Sequence, residues 1–120
     1  INREFSKNNL MNEVKRKNIE VHARSIFLQG LLLKKNINNK KFNNFIKYLN
    51  KWHQIHNLSK LETSLNYINH LKYVDKYILG FDNLKQIDEI MKIKEKKINH
   101  FPFYNDKFIK DPRKWDKKNY

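Results

Sequence analysis

The chain has 120 residues and a formal net charge of +14, and hydrophobic residues make up 39% of it. This length fits one domain or a part of one. The chain has no cysteine, which excludes disulfides, thiolate metal sites and cysteine nucleophiles, and its two glycines exclude both the GxGxxG and the Walker phosphate-binding loops.

The positive charge is spread along the whole chain. Lys outnumbers Arg 22 to 4, and Lys, Asn and Ile together supply 53 of the 120 residues. Such a dispersed excess is typical of solvated surface, so we do not expect nucleic acid to be a partner. A basic helical module that binds nucleic acid or an acidic partner is the alternative function. The first ten residues are polar and no apolar run reaches the roughly 20 residues of a membrane span, which predicts a cytoplasmic protein without a membrane partner.

The first half of the chain predicts a helix, a strand and a second helix. Residues 7–17 have apolar positions at helical spacing, and residues 19–23 alternate apolar and polar side chains as a strand does. We expect this strand to continue into the apolar stretch at residues 25–33. After the polar loop at residues 36–41, large apolar side chains recur at helical spacing over residues 41–55.

The second half predicts a helix, a strand and a helix. Ser59 and Glu62 have the spacing of a capping box at the start of a helix. Residues 74–79 are rich in β-forming types and end at Gly80, and Asn83 stands where it would cap another amphipathic helix. Strands separated by helices imply an α/β fold with parallel strands. Two strands are too few for a covered sheet, so the pattern predicts the end of a longer unit.

Two stretches follow the predicted strands, where ligands bind in parallel α/β folds. One runs from Arg24 to Gly30, and the other from Gly80 to Asn83. The second stretch precedes a helix N-terminus, which suits a phosphate, and Gly80 would let the backbone turn sharply and approach a ligand. Spacing alone favours the alternative that Gly80 is only a turn and Asn83 only a cap.

Four segments resemble, in order, the C-terminal part of the aldo/keto reductases. EVHARSIFLQGLL (residues 20–32) is similar to the segment around the seventh barrel strand, and SKLETSLNY (residues 59–67) to the helix before the last strand. YILGFDNLKQIDEI (residues 77–90) resembles the eighth strand and its helix, and DPRKW (residues 111–115) a Pro-x-x-Trp ending.

The fold that this resemblance implies is the C-terminal part of a (β/α)8 TIM barrel. About two βα units with extra helices would occupy residues 1–95, and an irregular tail at residues 96–120 would dock on the barrel.

The resemblance also implies hydride transfer with NAD or NADP as the cofactor. Neither is favoured, because residues 80–84 hold no cluster of cations, although Lys85 is one candidate to meet a 2′-phosphate. The residues implied to contact the cofactor are Arg24 at the nicotinamide, Ser25 near the phosphate backbone, Gly80, Phe81, Asp82 and Asn83 at the adenosine phosphate, and Gln86 and Glu89 near the adenine.

No residue of the chain matches the family's catalytic Asp, Tyr, Lys and His. We therefore expect no catalytic residue here and no reductase activity from the chain alone. Ile1 is not a start methionine, so we expect a fragment, a truncated product or a piece of a split protein. Exposed strand edges would then favour association with the missing N-terminal part of the barrel, or self-association. His53 and His56 are three residues apart on a helix, but no third ligand is evident, so we expect no metal.

Overall fold

The computed structural model describes residues 9–115. In that part of the chain, helices and strands alternate as the sequence predicts, although residues 7 and 8 of the first predicted helix lie outside it. The elements are α1 (Leu10–Arg16), β1 (His22–Ala23), α2 (Lys40–His56), α3 (Lys60–His70), β2 (Lys76–Tyr77) and α4 (Leu84–Met91), with 3₁₀ turns at Leu31–Leu33 and Pro112–Lys114.

The two strands pair in parallel, as predicted. His22 lies opposite Lys76 and Ala23 opposite Tyr77. The Ile78 amide extends the ladder by donating to the Ala23 carbonyl oxygen at 2.8 Å. The carboxyl ends of β1 and β2 therefore lie at one edge of the pair, separated in sequence by α2 and α3.

Asp75 fixes the register of this pair. One carboxylate oxygen accepts a hydrogen bond from the Val21 amide at 2.8 Å, and the other pairs with the Lys15 ammonium at 2.6 Å. The Asp75 amide in turn donates to the Val21 carbonyl oxygen at 2.9 Å. The contacts with Lys15 and Val21 lower the pKa of the Asp75 carboxyl, so the side chain is ionised at neutral pH.

The prediction that β1 continues through residues 25–33 was wrong. The backbone enters the left-handed region at Ser25 (φ 55°) and again at Leu28, Gln29 and Gly30 (φ 51°, 55° and 78°). These turns redirect the chain into the 3₁₀ turn at Leu31–Leu33, whose first two leucines are buried. A longer strand would place those leucines beyond the end of β2, away from the core, and their burial outweighs the cost of the strained turn.

The core forms around α2. Its aromatic and aliphatic side chains form one cluster with leucines of the 3₁₀ turn and with residues of the C-terminal segment. The buried members are Leu31, Leu32, Phe42, Phe45, Ile46, Leu49, Ile109 and Trp115. Division of the chain at residue 95 stays a prediction.

Side-chain caps define where the three longer helices begin. Asn39 accepts a hydrogen bond from the Lys41 amide at the start of α2, and Asn83 accepts one from the Gln86 amide at the start of α4. Ser59 and Glu62 form the predicted capping box of α3. None of the helices within residues 9–115 is long and apolar enough to cross a membrane.

Trp115 offers a test of how strongly the C-terminal segment holds the core. Its ring meets Phe42 edge-on at 5.2 Å, and its indole N–H donates to the Phe108 carbonyl oxygen at 2.8 Å. We expect Trp115→Ala to lower the free energy of unfolding by about 3–5 kcal/mol, since it leaves a cavity in the core. Urea unfolding measures the change. Trp115→Phe, which keeps a ring beside Phe42, should cost less, and equal costs for the two variants would contradict this account.

Candidate functional site

The stretches that follow β1 and β2 lie at the same edge of the sheet. Arg24 and Ser25 come directly after β1, and both are exposed. The Ser25 carbonyl oxygen accepts a hydrogen bond from the Leu28 amide at 2.8 Å, which closes the turn after the strand. Gly80 follows β2 at a similar position. The α/β pattern thus brings the two predicted ligand-binding stretches together.

A cleft of about 960 Å³ opens beside this edge, between the start of α3 and the start of α4. We call it the α3–α4 cleft. Its lining comes from two parts of the chain, which we call its two walls. The first is the loop after β2 with α4, and the second is the end of α2 with the start of α3 and the segment around residue 35. The residues that line the first wall are Gly80, Phe81, Asp82, Gln86, Glu89 and Ile90.

Local hydrogen bonds shape the first wall. The Asn83 side chain accepts from the Gln86 amide at 3.1 Å, and the Gln86 side-chain oxygen accepts from the Asp82 amide at 2.9 Å. These two bonds close the first turn of α4 and direct Gln86 and Asp82 toward one another. Asn83 is therefore a cap, as its alternative interpretation held, and it does not line the cleft.

Gly80 lines the cleft, and its backbone does not need the conformational freedom of glycine. Its φ is outside the left-handed region, which Gly30 does enter. A Cβ atom at Gly80 would meet no other atom within 4 Å. The chain leaves β2 with a φ at Gly80 that other residues can also adopt, and the close approach of this backbone to a ligand stays a prediction. The missing side chain leaves space in the cleft.

The second wall carries residues that the sequence analysis did not place in a site. They include Lys35, Asn36, Asn50, His53, Ser59 and Lys60. Lys60 is the first residue of α3, and its ammonium group donates to the Lys34 carbonyl oxygen. The capping box could have located Lys60 at a helix start, but no local pattern marks Lys35, which lies 25 positions earlier in the chain.

Two groups of this wall have shifted pKa values. Partial burial, and then the nearby charge of Lys35, lower the pKa of the Lys60 ammonium. Burial, and then the charge of Lys60, lower the pKa of His53. The Thr63 hydroxyl donates its hydrogen bond to the Ser59 carbonyl oxygen at 2.9 Å, so its oxygen is the acceptor in its 3.3 Å contact with His53 Nδ1.

The family model of the aldo/keto reductases matches residues 1–101. The chain belongs to the aldo/keto reductase family. This confirms the resemblance drawn from the residues, although the DPRKW segment lies beyond the matched range. No curated protein matches the chain, and no solved structure does.

Membership in the aldo/keto reductase family explains the order of the elements. Family members are oxidoreductases with a (β/α)8 barrel and generally use NAD(P)H. Parallel strands separated by helices are the repeating unit of such a barrel. The described part of this chain has two parallel strands, β1 and β2, with α2 and α3 between them, which is consistent with part of such an α/β fold.

The eight residues that the resemblance assigns to the cofactor divide into two groups. Five line the α3–α4 cleft: Gly80, Phe81, Asp82, Gln86 and Glu89. The cleft lining does not include Arg24, Ser25 or Asn83, and the first two lie exposed beyond β1. Among residues 9–115, no three His, Cys, Asp or Glu side chains are grouped so that they could hold a metal ion.

An ion pair joins α3 to the chain that follows α4. The Glu62 carboxylate pairs with the Lys96 ammonium at 2.6 Å and also accepts from the Ser59 amide at 2.8 Å. The buried Asn66 side chain accepts from the Lys96 amide at 2.6 Å. We call these contacts the Glu62 latch. The latch ties α3 to the segment that begins after the end of α4 at Met91.

The latch predicts how stability depends on pH. Its hydrogen bonds lower the pKa of Glu62 from 4.5 to about 2, led by the bond to Lys96. The folded state therefore binds this proton less readily than the unfolded chain does, and the stabilisation is complete above pH 4.5 and is lost as the pH falls toward 2. We expect Glu62→Gln to destabilise the chain at pH 7 and to lose most of that effect at pH 3, as measured by thermal unfolding.

Repeating Glu62→Gln in a Lys96→Met variant distinguishes the effect of the ion pair from the effect of the helix cap. In Lys96→Met, which removes the ammonium group alone, Glu62→Gln should show a smaller pH-dependent effect. An equal effect in both backgrounds would mean that Lys96 is not the group that lowers the Glu62 pKa.

Proposed function

We propose that this chain forms the adenosine-binding part of a nicotinamide dinucleotide site in an aldo/keto reductase barrel whose catalytic groups lie outside it. One observation carries the proposal. Five of the eight residues that match the family's cofactor-binding positions line a single cleft.

The chemistry of the cleft fits an adenosine. Its volume of about 960 Å³ is at the upper end of the usual range for small-molecule sites. Phe27, Phe81 and Ile90 provide apolar surface for a purine, whose flat face stacks well on an aromatic ring. Asp82 and Glu89 provide carboxylate oxygens that accept hydrogen bonds from ribose hydroxyls.

The edge beyond β1 suits the other end of the same cofactor. Arg24 and Ser25 lie at the carboxyl end of the strand, outside the cleft but at the sheet edge from which it opens. The Arg24 guanidinium presents a flat cation that stacks on a ring, and the Ser25 hydroxyl can donate to a phosphate oxygen. When bound, the nicotinamide supplies the acceptor or donor of hydride, while these residues only hold and orient it.

The proposal predicts that Phe81 contributes to adenine binding. We expect Phe81→Ala to weaken binding of adenosine 5′-monophosphate about fivefold, because stacking of a base on an aromatic ring contributes about 1 kcal/mol. Isothermal titration calorimetry measures the dissociation constant.

Phe103→Ala is the matched control. Phe103 is 40% exposed, against 43% for Phe81, and it does not line the cleft. This variant should bind the nucleotide as the original chain does. If the original chain binds no adenine nucleotide, or if the two variants weaken binding equally, the proposed function is wrong.

The remainder of the barrel is the partner that we propose for the exposed apolar surface. Leu84 and Met91, at the two ends of α4, are 79% and 78% exposed, and Ile78 beside β2 is also exposed. In a complete barrel such a surface is covered by neighbouring strands and helices. Without that portion, two copies of the chain would cover it for one another.

Light scattering tests this proposal. We expect the chain to form dimers or larger species at micromolar concentration, and the double variant Leu84→Lys, Met91→Lys to shift it to a monomer. Ile55→Lys is the control, because Ile55 is 68% exposed but lies near the end of α2. A monodisperse monomer from the original chain would contradict the proposal.

A further inference from the structure

Lys60 differs from most cations of this basic chain. Most of the lysines within residues 9–115 are exposed, whereas Lys60 is partly buried in the second wall of the α3–α4 cleft. Its one described hydrogen bond goes to the Lys34 carbonyl oxygen, and no carboxylate within residues 9–115 forms an ion pair with it. In the described part of the chain, the Lys60 ammonium therefore lacks the counter-charge that usually accompanies a partly buried cation.

The nearby charge that acts on Lys60 is a second cation. Lys35 lines the same wall, and burial, followed by the charge of Lys35, lowers the pKa of the Lys60 ammonium. An ammonium group has no electron pair to share, whereas the neutral amine has one, so both effects favour the nucleophilic form of the side chain. Among the lysines of the described residues, Lys60 is the one that both lines the cleft and has a lowered pKa.

The surroundings of Lys60 restrict which electrophile fits. The hydrogen bond to the Lys34 carbonyl oxygen requires that the product keep an N–H group. The neutral imine that an aldehyde forms with an amine has no N–H, whereas an amide or a carbamate has one. Lys35 favours a product with a negative charge, which an amide does not have. A carbamate, the adduct of an amine with carbon dioxide, meets both conditions.

We infer that Lys60 reacts reversibly with carbon dioxide to form a carbamate whose negative charge pairs with the Lys35 ammonium. The electron pair of the neutral amine nitrogen attacks the carbon atom of carbon dioxide. A nitrogen–carbon bond forms, the electron pair of one carbon–oxygen π bond moves to oxygen, and the nitrogen releases one proton to water. The remaining N–H donates to the Lys34 carbonyl oxygen as before. The reaction involves no oxidation or reduction, and the modification goes beyond the proposed function and does not depend on it.

The modification reverses the charge at one position of the cleft. Two neighbouring cations, Lys35 and Lys60, become an ion pair, which removes their repulsion. Asp82 and Glu89 carry their carboxylates on the first wall, so they repel the carbamate and favour its position beside Lys35. Carbon dioxide would in this way alter the charge that the second wall presents to any ligand of the cleft.

The extent of modification should depend on pH. Acid protonates the Lys60 amine and prevents the reaction, and alkali converts carbon dioxide into bicarbonate, which is not the electrophile. The other titratable group of this wall beside Lys60 is His53 of α2, whose pKa is lowered by burial and then by the positive charge of Lys60. A carbamate replaces that positive charge with a negative one, so the pKa of His53 should rise when Lys60 is modified.

The test detects the carbamate on the 120-residue chain. The chain is equilibrated with isotope-labelled carbon dioxide near neutral pH, and triethyloxonium then converts the carbamate into a stable ethyl ester that mass spectrometry locates by peptide. We expect label at Lys60 and much less at Lys51, an exposed lysine of α2 outside the cleft. Lys60→Arg, which keeps the positive charge but has no amine, should lose the label at this position and leave the other lysines unchanged.

Lys35→Gln tests the ion pair. It should reduce the labelled fraction of Lys60 about two- to fivefold, the usual effect of one partly exposed ion pair. Because Lys35 is exposed, this variant keeps the fold even if Lys60→Arg does not, and Lys51→Gln is its matched control, with an unchanged label at Lys60. Proton NMR of the His53 ring is an independent readout, since its pKa should rise with carbon dioxide in the original chain and stay constant in Lys60→Arg.

The inference is wrong if Lys60 carries no more label than the exposed lysines do, or if Lys35→Gln leaves that label unchanged. It is also wrong if carbon dioxide does not move the His53 pKa. None of these measurements uses a nucleotide, so the adenosine site stands or fails by its own calorimetry.

Discussion

The parallel pairing of two very short strands is the constraint on which the site depends. Each strand has two residues, so few ladder bonds fix the register. Asp75 compensates by holding the Val21 amide and the Lys15 ammonium at once, which ties α1, β1 and β2 together. With that register, the turn after β1 and the loop after β2 begin at the same edge. A shift of one residue would exchange the faces of the strand and separate the two stretches.

The first turns of α3 and α4 contribute to the lining of the cleft beside this edge. Asn83 sets where α4 begins, and Ser59 with Glu62 sets where α3 begins. Each cap accepts hydrogen bonds from backbone amides that would otherwise bind water, so it stabilises the first turn of its helix. The Glu62 carboxylate takes part in both the cap of α3 and the latch to Lys96, so one ionised group joins the start of α3 to the segment that follows α4.

Features set by neighbouring residues could be predicted from the sequence, and those set by distant packing could not. The caps at Ser59 and Asn83 are local hydrogen-bonding patterns, and the amphipathic period of α2 is equally local. The turn at residues 25–30 is different, because it exists so that Leu31 and Leu32 can reach the core around α2. An apolar run does not by itself distinguish a strand from such a turn.

In the candidate site, too, the residues close together in the chain could be predicted, and those brought together by packing could not. The resemblance to the aldo/keto reductases selected five residues of one wall, all within ten positions of one another in the chain. The other wall comes from three separate segments around Lys35, His53 and Lys60. Their proximity depends on how α2 packs against its neighbours, and a basic chain offers many lysines with nothing to distinguish these two.

The C-terminal segment supports the part of the chain that matches the family, residues 1–101. The family match ends at residue 101, whereas Ile109 and Trp115 belong to the same buried cluster as Leu31 and Leu32. Those leucines lie immediately before Leu33 and Lys35, which line the cleft. Residues outside the shared pattern thus buttress a wall of the site. A boundary drawn at the end of the family match would remove a support that the cleft requires.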